Sequence, residues 1–125
     1  MLPSFLNKTF RNQKKLGGKR SMKFIMVYIT TKDRGEAVKI GRTLVDEKLA
    51  ACVNIVDGMN SLYRWQGEIV EDNETILIAK SREERFEKIL SRVKELHSYT
   101  VPCVVGLPLT EGNPDYLQWL REETE

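Results

Sequence analysis

Apolar residues run almost without a break through KFIMVYIT, residues 23–30, and the run is rich in β-branched and aromatic side chains. That pattern predicts a first strand buried on both faces. Asp33 and Glu36 then stand at the spacing of a helix N-terminal capping pair, and Ala37, Ile40, Leu44, Val45 and Leu49 recur at helical spacing, predicting a helix to about Lys48. Two long extended runs, ACVNIVDGMNSLYRW (51–65) and EIVEDNETILIAKS (68–81), flank Gln66-Gly67 and read as a hairpin. Ser81 and Glu84 are spaced as a capping box ahead of an apolar stripe, Phe86, Ile89, Leu90, Val93 and Leu96, which predicts a second helix ending near His97. Residues 103–109 read as a fourth strand, whose Pro108 suits a sheet edge. A short third helix follows, with Asn113 as N-cap, Pro114 at its first position and Tyr116, Leu117 and Leu120 facing inward.

The predicted order is β-α-β-β-α-β with a terminal helix. It belongs to the α+β class, in a ferredoxin-like split βαββαβ arrangement: one antiparallel sheet with helices on one face plus a C-terminal helix. A chain of 125 residues, 41% apolar and 30% charged, has the size of one domain. Neither a fixed-period repeat nor a low-complexity tract interrupts residues 22–125. The net charge of +2 conceals an asymmetry: residues 1–21 hold six basic residues and no acid, which leaves 14 basic against 18 acidic residues, a net −4, in 22–125. The basic stretch reads as a disordered N-terminal extension or leader outside the domain. No apolar run reaches the ~18 residues of a membrane-spanning helix, so no membrane partner is expected. Two cysteines, Cys52 and Cys103, without a CxxC motif, suit reduced thiols in a cytoplasmic protein.

A fold of this order hosts unrelated functions. An RNA-binding domain would carry stacking aromatics on its third strand, and ETILIAKS has none, so nucleic acid is not an expected partner. An acylphosphatase-like enzyme would need a glycine-rich anion cradle after strand one, where TTKDRGE supplies only Arg34 and Gly35. The segment that asks for chemistry is HSYTVPC, residues 97–103, with the single histidine, His97, and Cys103. A Cys/His nucleophile pair would need an oriented base and an oxyanion donor. No third member is identifiable, so a non-enzymatic protein without catalytic residues is expected. A thiolate beside an imidazole would favour Cu(I) or Zn, provided the side chains meet. The plainer alternative is a packed thiol and a histidine bonded to the last carbonyls of its helix. Cys52, inside LAACVNIV, reads as a core residue.

Four segments, EKLAACVNIV (47–56), SLYRWQGEIVEDNE (61–74), the H-Y-P frame of HSYTVP (97–102) and NPDYLQWL (113–120), resemble the CutA family of divalent-cation-tolerance proteins. The similarity covers nearly all of residues 22–125. Its most specific part is the hairpin pattern of Tyr63, Trp65, Gly67, Glu68 and Ile69 followed by the H-x-Y-x-x-P frame. The resemblance implies a homotrimer of ferredoxin-like subunits, PII-like in assembly, and a link to copper and other divalent metals. Relatives for which copper ligation is proposed place ligands at positions held here by Ile29, Leu96 and His97, so one imidazole remains. Cys103 stands where relatives commonly have glutamate, and Ser98 where they have proline. One imidazole is too few donors for a tight first-row metal site, so the expected contact is a weakly held divalent metal or copper at His97 and Cys103.

The resemblance further implies an intersubunit cleft lined by Tyr63, Trp65, Lys80, His97, Tyr99 and Trp119. Its ammonium and imidazole suit a small anion or a metal-ligand complex. In the expected strand order the second and fourth strands lie at opposite edges, open to pairing with another chain. The resulting expectation is a metal-tolerance or metal-response protein with weak metal binding. The alternative is a PII-like trimeric sensor or scaffold that binds a small molecule or partner protein at the cleft.

Overall fold

The computed structural model describes residues 23–125, so the basic stretch 1–21 and Met22 lie outside the described residues. The elements are β1 (Phe24–Thr31), α1 (Arg34–Asp46), β2 (Cys52–Trp65), β3 (Glu68–Arg82), a 3-10 turn (Glu83–Arg85), α2 (Phe86–Leu96), β4 (Val104–Leu109) and α3 (Pro114–Glu122). The four strands form one antiparallel sheet in the order β2-β3-β1-β4. This is the split βαββαβ arrangement, with β2 and β4 at the edges.

Alternation along the strands decides what each face does. Ile25, Val27 and Ile29 of β1 and Leu77 and Ala79 of β3 join Ala37, Ile40 and Leu44 of α1 and Ile89 and Val93 of α2 in one buried cluster. Each fully buried Leu or Ile there contributes about 1.5–3 kcal/mol relative to exposure. The intervening residues, Met26, Tyr28, Ile76 and Ile78, are half-buried on the other face. β1 is therefore not sealed on both sides, as its unbroken apolar run predicts. α3 covers only one end of that second face. The Tyr116 hydroxyl lies 3.7 Å from Cys52 Sγ, Lys80 Nζ lies 5.4 Å from the Tyr116 ring centroid, and Arg82 Nε donates to Thr124 Oγ1 at 2.9 Å.

The helix ends follow the expected caps in two of three cases. Asp33 Oδ1 accepts the Glu36 N–H at 2.9 Å, while Glu36 Oε1 reaches back to the Lys32 N–H at 3.0 Å, one residue earlier than a closed capping box. Asn113 Oδ1 accepts the Asp115 N–H at 3.0 Å, with Pro114 in the first turn of α3. α1 stops at Asp46 because Lys48 turns into the left-handed region at φ 60°, and the N–H groups of Leu49 and Ala50 return to the Leu44 carbonyl at 2.9 and 3.1 Å. Leu49 thus enters the core from the loop. Ser81 does not cap α2. The β1–β3 ladder continues through Ile25↔Ser81 to Phe24↔Arg82, and the buried Ser81 hydroxyl donates to the Leu49 carbonyl at 2.6 Å. The chain enters α2 through the 3-10 turn instead.

Two features shape the β2–β3 hairpin. Gln66 and Gly67 have φ of 50° and 83°, a two-residue turn of the primed type whose twist matches the strands. Nearer the sheet, the ladder steps from Val56↔Ile76 to Met59↔Glu74, so β2 advances three residues while β3 advances two. The extra residue makes a β-bulge, with Gly58 at φ 79°. Asp57 holds it in place, accepting the Thr75 hydroxyl at 3.3 Å and the Arg34 guanidinium at 3.0 Å. Simple alternation from Val56 would send Leu62 and Arg64 to the half-open sheet face. The bulge sends Met59, Ser61, Tyr63 and Trp65 there instead, in line with Glu74 and Asp72 of β3. Gln66 sits in a conformation better suited to asparagine, so Gln66→Asn is expected to raise the unfolding free energy in urea by about 0.5 kcal/mol. An unchanged or lowered midpoint would count against a primed turn.

Candidate ligand cleft

The HSYTVPC segment is organised by two buried polar side chains. Glu36, at the start of α1, accepts the Lys32 N–H through Oε1 and the Ser98 N–H through Oε2, the latter at 2.7 Å. Burial pushes its carboxyl up, but hydrogen bonds from the Lys32 main chain and from Ser98, with His97 close by, outweigh that and hold it below its ordinary value. The His97 side chain is wholly buried. Its Nε2 lies 2.7 Å from the Thr30 carbonyl and its Nδ1 accepts the Tyr99 N–H at 3.0 Å, a pattern that assigns the proton to Nε2. His97 therefore ties α2 to β1 and sets the direction of the loop that follows.

That loop carries Tyr99 over its own anchor, with the His97 and Tyr99 ring centroids 4.7 Å apart, and delivers the Tyr99 hydroxyl to Glu74 Oε2 at 2.5 Å. Burial and the hydrogen bond to Glu74 push the Tyr99 phenol strongly up. Glu74 is only 7% exposed. Beside it, Tyr28 donates to Met59 Sδ at 3.3 Å and Tyr63 donates to Asp72 Oδ2 at 2.6 Å. Between the bulged hairpin and the 98–103 loop lies a cavity of about 580 Å3, walled by Tyr28, Tyr63, Trp65 and Tyr99 above Met59, Glu74 and Cys103. Among the described residues, no lysine, arginine or histidine lines it.

The six cleft residues expected from the sequence fall into two groups within one chain. Tyr63, Trp65 and Tyr99 line the cavity, together with Cys103. His97 lies beneath it with both nitrogens engaged. Lys80 and Trp119 stand elsewhere: Lys80 pairs with Cys52 across the ladder and sits over Tyr116, which stacks against Trp119 at 5.6 Å. Six residues of strand separate Lys80 from Glu74, about 20 Å. Burial opposes the charge on Lys80, but Tyr116 and Cys52 outweigh it and raise its value. Cys52 is half-buried beside Tyr116 rather than deep in the core. Sequence reasoning passed over Tyr28, Met59, Glu36 and Glu74. Glu74 had a usable signal, because it shares strand parity with Ile76, Ile78 and Lys80.

The donors within one chain do not make a first-row divalent metal site. Among the described residues no group of three or more His, Cys, Asp and Glu side chains converges. His97 would have to break a main-chain bond to ligate. Burial, and after it the nearby Glu74, pushes the Cys103 thiol up, so a metal must displace its proton at neutral pH. What the cleft offers is an aromatic enclosure with one buried carboxylate.

An antiparallel four-stranded split βαββαβ sheet with helices defines an α+β domain. The family model described as CutA1 divalent ion tolerance protein matches residues 25–123, and the chain belongs to this family. It is 54% identical over 99 residues to the divalent-cation tolerance protein CutA of Thermus thermophilus, covering 79% of this chain and 96% of that one. It is 44% identical to a chloroplastic CutA protein of Arabidopsis thaliana, covering 80% of this chain and 55% of that relative's length. The solved Thermus thermophilus structure superposes with a TM-score of 0.80 at 53% identity over 82% of this chain and 99% of that one. The Oryza sativa CutA1 crystal structure gives 0.81 at 40% identity over 84% and 96%. An Archaeoglobus fulgidus relative, at 38% identity, TM-score 0.80 and coverage of 82% and 99%, is described as periplasmic. No helix among the described residues is long and apolar enough to cross a membrane.

The Glu36 clamp makes stability depend on pH. Its folded value lies below the ordinary 4.5, so its contribution is fully present above about pH 4.5 and fades as pH falls through the lowered value. Glu36→Gln is expected to cost about 1–3 kcal/mol at pH 7 by urea unfolding and to flatten the acid limb of the stability profile. A variant that keeps the wild-type acid limb would remove Glu36 from this role.

Proposed function

We propose that the chain acts as a homotrimeric, non-enzymatic binding protein of divalent-cation tolerance in the cytoplasm, with the cleft as its ligand site. The observation that carries the reading is the charge of the cavity in one chain: a buried carboxylate and a thiol, with no basic residue among the described residues to receive an anion. A cation is the complementary occupant. The expectation of a small anion or a metal-ligand complex rested on Lys80 and His97 in an intersubunit cleft; within one chain neither lines the cavity. Metal contact is weak, through Cys103 and Glu74, and a third donor comes from solvent or a neighbouring subunit.

The trimer is supported by what one chain leaves uncovered. Val56, Val105 and Leu107 are 43–48% exposed on the sheet face that carries Met26, Tyr28, Ile76 and Ile78. The hairpin adds Leu62 and Ile69, 66% and 70% exposed. Such a surface on a domain of this size is an assembly surface, and both sheet edges are open to pairing.

Native mass spectrometry with Cu(I) and Zn(II) titrations tests both parts. The expected species is a trimer that takes up metal weakly, with uptake reduced about tenfold in Cys103→Ala and in Glu74→Gln. A monomer would remove the assembly. A trimer whose uptake is untouched by both substitutions would remove metal from the cleft.

A further inference from the structure

We infer that Cys52, Lys80 and Tyr116 form a peroxide-reactive thiol site, in which hydrogen peroxide oxidises Cys52 to a sulfenic acid that Lys80 and Tyr116 hold. The inference goes beyond the binding reading above. It rests on side chains of one chain at the end of the sheet that α3 covers, away from the hairpin and its cavity.

Three elements bring the groups together. Cys52 opens β2 and is the direct ladder partner of Lys80 on β3, and side chains paired in this way stand about 4.5–5.5 Å apart at Cβ. The Ala51 N–H donates to the Lys80 carbonyl at 2.9 Å and fixes the pair from the main chain. Tyr116 closes over both, its hydroxyl 3.7 Å from Cys52 Sγ and its ring centroid 5.4 Å from Lys80 Nζ. α3 is pinned at its start by the Asn113 cap and past its end by Arg82 and Arg85, which donate to the Thr124 carbonyl at 2.6 and 2.8 Å. The seat of Tyr116 is thus built within one chain.

Charge separates the two thiols. Cys103 is exposed, but burial of its sulfur and the nearby Glu74 carboxylate push its thiol up. Cys52 is half-buried, yet its neighbours are an ammonium and a phenol. An ammonium beside sulfur stabilises the negative charge of the attacking atom, and a hydroxyl can protonate the oxygen that leaves. The same ammonium repels a metal ion. An acyl-transfer nucleophile would need a base, and among the described residues no carboxylate or imidazole is bonded to this thiol. Hydrogen peroxide is hardly larger than water and carries no charge, so it suits a half-buried thiol.

The step balances within the cluster. A sulfur electron pair of Cys52 attacks one peroxide oxygen, the S–O bond forms and the O–O bond breaks. The departing hydroxide takes the Tyr116 proton, and the thiol proton returns to the phenol. One thiol and one peroxide give one sulfenic acid and one water, with sulfur oxidised by two electrons and peroxide reduced. Cys103 lies towards the other end of the sheet, so the sulfenic acid persists until an external thiol reduces it.

The full-length protein, in its native assembly at pH 7, is treated with hydrogen peroxide in the presence of dimedone, and adducts at Cys52 and Cys103 are timed by peptide mass spectrometry. The less exposed thiol is expected to react at least about tenfold faster than the more exposed one. Lys80→Gln should slow Cys52 by about tenfold, and Lys80→Arg, which keeps the charge, should stay within about threefold of wild type. Iodoacetamide separates the two helpers, because its iodide leaves without a proton: Lys80→Gln should slow both reagents, whereas Tyr116→Phe should slow peroxide and leave iodoacetamide unchanged. Thermal denaturation confirms that each variant is folded, and Lys80→Arg and Tyr116→Phe keep the test readable if Lys80→Gln is not. No dimedone adduct at Cys52, reaction at Cys103 as fast or faster, or a Cys52 rate that Lys80→Gln or Tyr116→Phe does not change with peroxide would each overturn the site.

Discussion

The buried carboxylate of Glu36 is the constraint on which the functional end of the domain depends. It sits at the N-terminus of α1, where the unsatisfied N–H groups and the helix dipole favour negative charge. It also receives the Ser98 N–H from the far side of α2. One side chain thereby joins the β1–α1 turn to the α2–β4 loop, and His97 doubles the joint by spanning from Thr30 to Tyr99. Without these bonds the 98–103 loop would have only Thr30 N–H to the Cys103 carbonyl, at 3.4 Å, to hold it to β1. The direction of Tyr99, and hence one wall of the cleft, follows from a pair of residues that do not line the cleft at all.

The same economy answers the question posed by a lone histidine beside a cysteine. Two nitrogens and two main-chain partners leave His97 no lone pair to offer, while Cys103 stays exposed at the cavity with a reluctant proton. The histidine builds the site and the thiol faces it. Their nearness in sequence reflects different tasks on either side of a bend.

Periodicity made most of the fold legible. The strands and helices stand close to where alternation and the 3.6-residue stripe put them, and the caps Asp33 and Asn113 hold. Ser81 misled because a Ser-x-x-Glu spacing says nothing about whether the strand before it has ended; here the pairing of Ser81 with Ile25 continues the ladder. The aromatic members of the cleft, Tyr63, Trp65 and Tyr99, were visible through resemblance. Glu36 was visible only as a partner of the Asp33 cap, and Glu74, in the acidic stretch EIVEDNE, only through its strand parity with Ile76 and Ile78; the burial of either carboxylate was not. Lys80 and Trp119 were grouped with them through an expected intersubunit cleft; within one chain they stand at the other end of the sheet.

The bulge at Gly58 works on the hairpin as a frameshift works on a message. Every residue of β2 from Met59 to Trp65 is read one position out of phase with the base of the strand, and the ladder beyond is spelled in the new frame. Length changes in this hairpin are therefore unequal. An insertion or deletion that alters the two strands together keeps the frame and merely moves the tip, whereas a single-residue change on β2 alone would trade Tyr63 and Trp65 for Leu62 and Arg64 on the inner face. The guanidinium of Arg64 would then take the place of an aromatic ring opposite Glu74, and the charge of the cleft would be cancelled by a change of one residue in length, with no substitution at any position that lines it.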